Sequence, residues 1–190
     1  MAYNCPTTLN SIDVNCEMTS GGIKRVIVCP RYSIKQPTYD ASAMALDPST
    51  ILKSAEVTGD VKFAEYNFRP QTSSITSTAT IDPAIGSASV TTEITLQFTK
   101  METEKRVSLQ QLIGTGAVVM VETFDNRWLW TGRDMAVYAT SLTQESGTAI
   151  SDLNGYKVTL QDISLELPYF VNITNESQIE ALLTDVPTSY

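Results

Sequence analysis

The chain has 190 residues, 13 Lys and Arg against 21 Asp and Glu for a net charge of −8, 42% hydrophobic residues and no histidine. That length buries a sizeable core without metal or disulfide support. No stretch approaches the roughly 20 apolar residues of a membrane-spanning helix, and the acidic balance argues against a surface that grips nucleic acid by neutralising phosphates.

Without histidine, Ser-His-Asp and Cys-His catalysis is excluded. Cys5, Cys16 and Cys29 likewise lack the fourth soft ligand of a closed zinc site, so they read as reduced thiols. Carboxylate pairs, Ser-Lys dyads and magnesium sites find no supporting spacing. Asp60, Asp125, Asp134 and Asp152 all sit in turn-like contexts, where aspartate serves local hydrogen bonding. The expectation is a non-enzyme with no cofactor and no metal.

Residues 1–22 read as an irregular N-terminal segment, with Pro6 early and Ser20-Gly21-Gly22 as a turn. They show neither the basic start nor the apolar run of a secretory signal, so synthesis in a cytoplasm is expected. Ile23 to Cys29 is β-rich and closed by Pro30, predicting a first strand. Pro30, Pro37 and Pro48 then punctuate a long loop from Arg31 to about Thr50. Asp47-Pro48 carries a helix-start signal, while Ile51-Leu52 equally suits the opening of a strand ending at Gly59. Asp60 to Phe68 favours another strand, stopped at Arg69-Pro70.

A long hairpin follows. Pairing Ile81 with Val90 places Ile75, Ser77 and Ala79 opposite Leu96, Ile94 and Thr92 on one moderately apolar face. The other face then carries Ser74, Thr76, Thr78 and Thr80 opposite Gln97, Thr95, Glu93 and Thr91. A period of two makes such a ribbon one-sided, and threonine suits it because β-branching fits the pleat while the hydroxyl tolerates water. The polar face is either an ordinary solvated surface or the wall of an aqueous passage.

Lys100 to Ile113 predicts a helix with Met101, Leu109, Leu112 and Ile113 as its apolar stripe, stopped by Gly114. Ala117–Phe124 and Arg127–Thr131 form a second hairpin turning at Asp125-Asn126, residues that accept positive φ. Its Trp128 and Trp130 share a face and are assigned to burial. Residues 140–155 are polar and turn-rich, a surface loop leaving through Asn154-Gly155. From Tyr156 to Val171 the apolar alternation runs on even positions and then on odd ones. The slip near Asp162 marks a β-bulge or a bend between two strands. Asn175-Glu176-Ser177-Gln178 caps a short C-terminal helix with Ile179, Leu182 and Leu183, in a tail spanning residues 175–190. So few residues are marginal alone, so this helix must dock on its own domain or on a neighbour.

The stretches EYNFRPQTSSITSTATI, TTEITLQFTKMETEKRVSLQQLI, VVMVETFDNRWLWTG and YKVTLQDISLELPYFV, with NCPTTLNSIDVNC and GGIKRVIV near the start, resemble the structural tail proteins of bacteriophages. They are most similar to small virion proteins of phages of gut Bacteroidetes, including crAss-like phages. The resemblance implies a mainly β, tail-tube-like fold in a single domain over residues 1–190: an antiparallel β-sandwich or half-barrel with a long hairpin, one flanking helix and a short C-terminal helix.

It also implies a place in the virion tail, a ring of six copies or a multiple of six, contacts with other tail proteins, and DNA passing without sequence-specific binding. No site motif transfers. The expected lumen-facing residues are Ser74, Thr76, Thr78, Thr80, Thr91, Glu93, Thr95 and Gln97, and the early cysteines depart from many tail-tube chains. The alternative is a non-enzymatic β-sandwich binding or decoration module of a virion or cell surface.

Overall fold

The computed structural model describes residues 12, 19–51 and 63–183. Two antiparallel-rich sheets hold the core. The larger has seven strands in the order β2-β3-β11-β8-β7-β1-β4: β1 is Ile23–Pro30, β2 Tyr39–Asp40, β3 Ala45–Leu46, β4 Ala64–Tyr66, β7 Ala117–Thr123, β8 Trp128–Thr131 and β11 Tyr169–Val171. The smaller has four, in the order β5-β6-β10-β9, where β5 is Ser74–Asp82, β6 Ser87–Thr99, β9 Tyr138–Glu145 and β10 Gly155–Ser164. Neither sheet closes on itself, so the chain is a β-sandwich.

The core follows from strand periodicity. Val26 and Val28 of β1 and Val119 and Val121 of β7 point one way, against Ile94, Leu96 and Phe98 of β6 and Tyr156, Val158 and Leu160 of β10. The intervening residues Ile27, Cys29, Val118 and Met120 point the other way, into a second cluster with Trp128, Trp130, Phe63 and Ile179. The large sheet is therefore buried on both faces, which is why β7 reads AVVMVET without alternation. Trp128 and Trp130 lie in this second cluster as assigned, and the indole N–H of Trp130 donates to Gln36 Oε1 at 2.7 Å.

Several expected elements are shorter or differently placed. Helix α1 is Thr103–Leu112, starting three residues later than expected, because β6 keeps pairing with β10 as far as Thr99 opposite Gly155. Lys100 then takes a left-handed φ of 68°. Met101 and Ile113 are exposed, and only Leu109 and Leu112 reach the core. The left-handed Gly114, φ 79°, stops the helix as expected.

The segment Arg31–Thr50 is not a featureless loop. It holds β2, β3 and two single 3-10 turns, Arg31–Ser33 and Pro48–Thr50. Asp47 caps the second turn, its Oδ1 accepting from Ser49 N at 2.9 Å. The alternative strand toward Gly59 lies outside the described residues beyond Ile51, as does the start of the strand expected from Asp60, of which Ala64–Tyr66 is seen.

Residues 138–145, assigned mostly to a surface loop, form the edge strand β9. Only Ala139 and Leu142 reach the core, and an extra residue at Thr140 shifts the register against β10 between Ser141 and Ala139. The apolar signal is thus both sparse and out of phase. The slip near Asp162 is a bend: Tyr156, Val158 and Leu160 face the sandwich core, and after Ser164 the chain crosses to the large sheet as β11. Helix α2, Glu176–Glu180, is closed by a capping box between Asn175 and Gln178. It docks on its own subunit through the buried Ile179, while Phe63 N donates to Leu182 O at 2.7 Å.

Candidate functional site: the solvated face of the small sheet

The observed register of the long hairpin pairs Ser74 with Thr95, Thr76 with Glu93, Thr78 with Thr91, Thr80 with Ser89 and Asp82 with Ser87. The expected pairing is off by two residues. Asp82-Pro83-Ala84-Ile85-Gly86 makes a tighter turn than assumed, with Asp82 Oδ1 accepting from Ala84 N at 2.9 Å and Gly86 at φ 65°. A slip of one residue turns every side chain over, whereas a slip of two leaves each on its face. Ser74, Thr76, Thr78, Thr80, Thr91, Glu93, Thr95 and Gln97 therefore do share one face, away from the core, though with different partners.

The face is wider than the hairpin. Across β6, the strand β10 contributes Lys157 beside Gln97, Thr159 beside Thr95, Gln161 beside Glu93 and Ile163 beside Thr91. Strand β9 then adds Glu145, Thr143, Ser141 and Tyr138. Gln161 Nε2 donates to Glu93 Oε1 at 3.3 Å, joining two strands across the face. Sequence reasoning missed this half because β9 carries no regular alternation. Three carboxylates, Asp82, Glu93 and Glu145, stand against one ammonium, Lys157. The result is a hydroxyl-rich, weakly acidic surface four strands wide, broken only by Ile163 and Tyr138.

Its two outer strands are β5, nine residues long, and β9, eight. Each pairs on one side only within the described residues. Such edges offer unpaired N–H and C=O groups to another chain. Because four strands alternate in direction, β5 and β9 run antiparallel to each other. An antiparallel strand added to either edge would continue the alternation.

The opposite face has one polar break. The hydroxyls of Ser77 and Thr92 lie 2.8 Å apart. Beyond them Asp162, 4% exposed, accepts from Gly132 N at 2.9 Å through Oδ2, while Oδ1 has no well-formed hydrogen bond among the described residues. Burial pushes this carboxyl above its ordinary value and the charge of Asp134 adds to the rise, against the lowering by the Gly132 and Ile163 N–H groups.

On the large sheet Glu122 is buried between Lys24 (2.9 Å) and Arg25 (3.1 Å). Arg25 also reaches Glu176 of α2 at 2.8 Å and lies over the Trp128 ring at 5.2 Å. This cluster ties β1, β7 and α2 together and needs no catalytic reading. Burial pushes the Cys29 thiol up to about 12, so it is an inert packing group; Cys5 and Cys16 lie outside the described residues. No group of three or more His, Cys, Asp or Glu able to hold a metal occurs among the described residues. Asp152 serves a turn, accepting from Thr148 and Ala149 N, whereas Asp125, in the β7–β8 turn, accepts from the distant Ser20 N, and Asp60 lies outside the described residues.

The fold and this face define a mainly antiparallel β-sandwich with one broad solvated sheet whose two outer strands pair on one side only among the described residues. No protein-family model matches the chain, and no curated protein matches it. Among solved structures the chain is similar to one described as "Virion of native gene transfer agent (GTA) particle", at 12% identity and a TM-score of 0.35, over 53% of this chain and 82% of that one. A likeness at that level decides neither fold nor role.

Proposed function

We propose that the chain is a non-enzymatic structural protein of a virion tail that assembles with copies of itself into a ring or tube, through which DNA passes. The observation that carries this reading is the four-stranded sheet with a hydrated, nearly base-free face between two antiparallel edges that are unpaired among the described residues. Edge-to-edge closure removes both aggregation-prone edges at once. Away from the hairpin tip, the resulting wall offers DNA two carboxylates, Glu93 and Glu145, and one ammonium, Lys157, per copy, so passing phosphates find little to hold them.

Geometry limits the copy number. With strands about 4.8 Å apart and tilted about 40°, six copies close a barrel roughly 48 Å across at the backbone, and three copies one of only roughly 24 Å. Side chains take about 5 Å from each wall, half the ~10 Å separating packed sheets, so three copies leave too little room for a duplex with grooves about 8 Å deep on either side. Six leave ample room.

Negative-stain electron microscopy and analytical ultracentrifugation of the purified chain test the reading. Rings or tubes with an open centre are expected. A protein that stays monomeric at high concentration and is missing from particles would refute it.

A further inference from the structure

We propose that a hollow on the large sheet receives the β5–β6 hairpin tip of a second copy of this chain, a contact that rests on the self-assembly reading and adds to it. The hollow, about 370 Å³, lies where the β2–β3 turn, the β7–β8 turn and the end of β11 meet. Its walls include Met44, Asn126, Arg127, Trp128, Phe170 and Asn172. The Arg127 guanidinium has no hydrogen-bond or ion-pair partner among the described residues.

Asn126 Oδ1 accepts from Lys24 Nζ at 3.3 Å, which leaves its amide hydrogens to donate elsewhere. Phe170 and Met44 are exposed, and Met44 holds a left-handed φ of 52° in the β2–β3 turn, an uncommon backbone for a non-glycine residue. An unpaired planar cation, side-chain amides and two bare apolar groups suit a carboxylate flanked by aliphatic side chains.

The hairpin tip has that chemistry. Residues 78–88 are exposed on both faces of the ribbon, so nothing among the described residues packs on the tip. Ile81 is 70% and Ile85 75% exposed, on either side of Asp82, whose Oδ1 accepts from Ala84 N. No lysine or arginine occurs between Arg69 and Lys100.

Two bare isoleucines on a projecting arm mark a contact surface, and the turn, already closed by Asp82 and Gly86, gives up little freedom on docking. Acidic tip and basic hollow are complementary in charge. Because every copy carries both, the contact is heterologous and propagates from copy to copy.

Charge reversal tests the pairing. D82R and R127D each alter an exposed side chain, but D82R also removes the turn bond from Ala84 N, so D82N, which keeps an acceptor and loses only the charge, is tested beside it, and all three variants should keep the wild-type circular dichroism. Each should raise the concentration at which the chain self-associates about tenfold or more, and the double reversal should restore it. Wild-type association by all three single variants would overturn the docking.

A second arm separates this inference from the ring. Copies carrying Ile85→Cys and copies carrying Met44→Cys, both in a Cys5→Ser/Cys16→Ser background, should form a disulfide only when mixed. Rings without that cross-link would overturn the docking and leave the ring standing. The cross-link without rings would support the docking and remove the ring.

Discussion

Replacing Thr78 and Glu93 by lysine is the most direct probe of the polar face. Both side chains are exposed, Thr78 opposite Thr91 and Glu93 opposite Thr76 and Gln161, and neither touches the core, so the subunit should fold as before. Away from the hairpin tip the face carries Glu93, Glu145 and Lys157, a sum of −2 + 1 = −1 per copy. The double substitution removes one negative charge and adds two positive ones, giving −1 + 3 = +2.

If the face lines a channel, a ring of about six copies swings by about 18 charges around the DNA, and each lysine that engages a phosphate steepens the dependence of log affinity on log salt by about 0.9. Tubes of the variant should therefore retain duplex fragments at about 50 mM salt and release them at several hundred millimolar, while wild-type tubes retain none. Particles built with the variant should eject DNA more slowly. Assembled variant tubes that neither retain DNA at low salt nor slow ejection would show that this face does not line the passage.

Leu96→Ala, at a fully buried position between the sheets, should cost about 2–5 kcal/mol in urea unfolding, whereas Ile81→Ala at the exposed tip should stay within about 0.5 kcal/mol. Asp162 binds its proton more tightly folded than unfolded, so stability should fall as pH rises from the unfolded carboxyl value of about 4 through the raised folded one; Asp162→Asn should flatten that slope in pH-dependent denaturation, and an unchanged slope would refute the assignment. The Cys29 thiol, buried and pushed up to about 12, should react with a thiol reagent at the rate of global unfolding at neutral pH. Rapid labelling at Cys29 in the native protein, located by mass spectrometry, would contradict its burial.

The local elements whose signals are chemical and short-range were legible in the sequence. Pro30 closes β1, Asn126 turns the β7–β8 hairpin at φ 56°, Gly114 ends α1 and Asn175 caps α2. In each case one residue's backbone preference decides the geometry. The polar face of the long hairpin was also legible, since a period of two survives a register error of two.

Tertiary structure decided the rest. Strand β9 is held by seven residues of β10 beside it, Gly155 to Gln161, rather than by its own side chains, so TSLTQE carries no strand signal strong enough to overrule its polarity. The first turn expected of α1 is absent because pairing with Gly155 draws Thr99 into the sheet, and long-range ladder bonds outweigh a weak local helix preference. The width of the solvated face and its outer strands β5 and β9 come from strands far apart in the chain being brought side by side. A single segment's composition carries no record of that order, because the partner is chosen by burial of the opposite face.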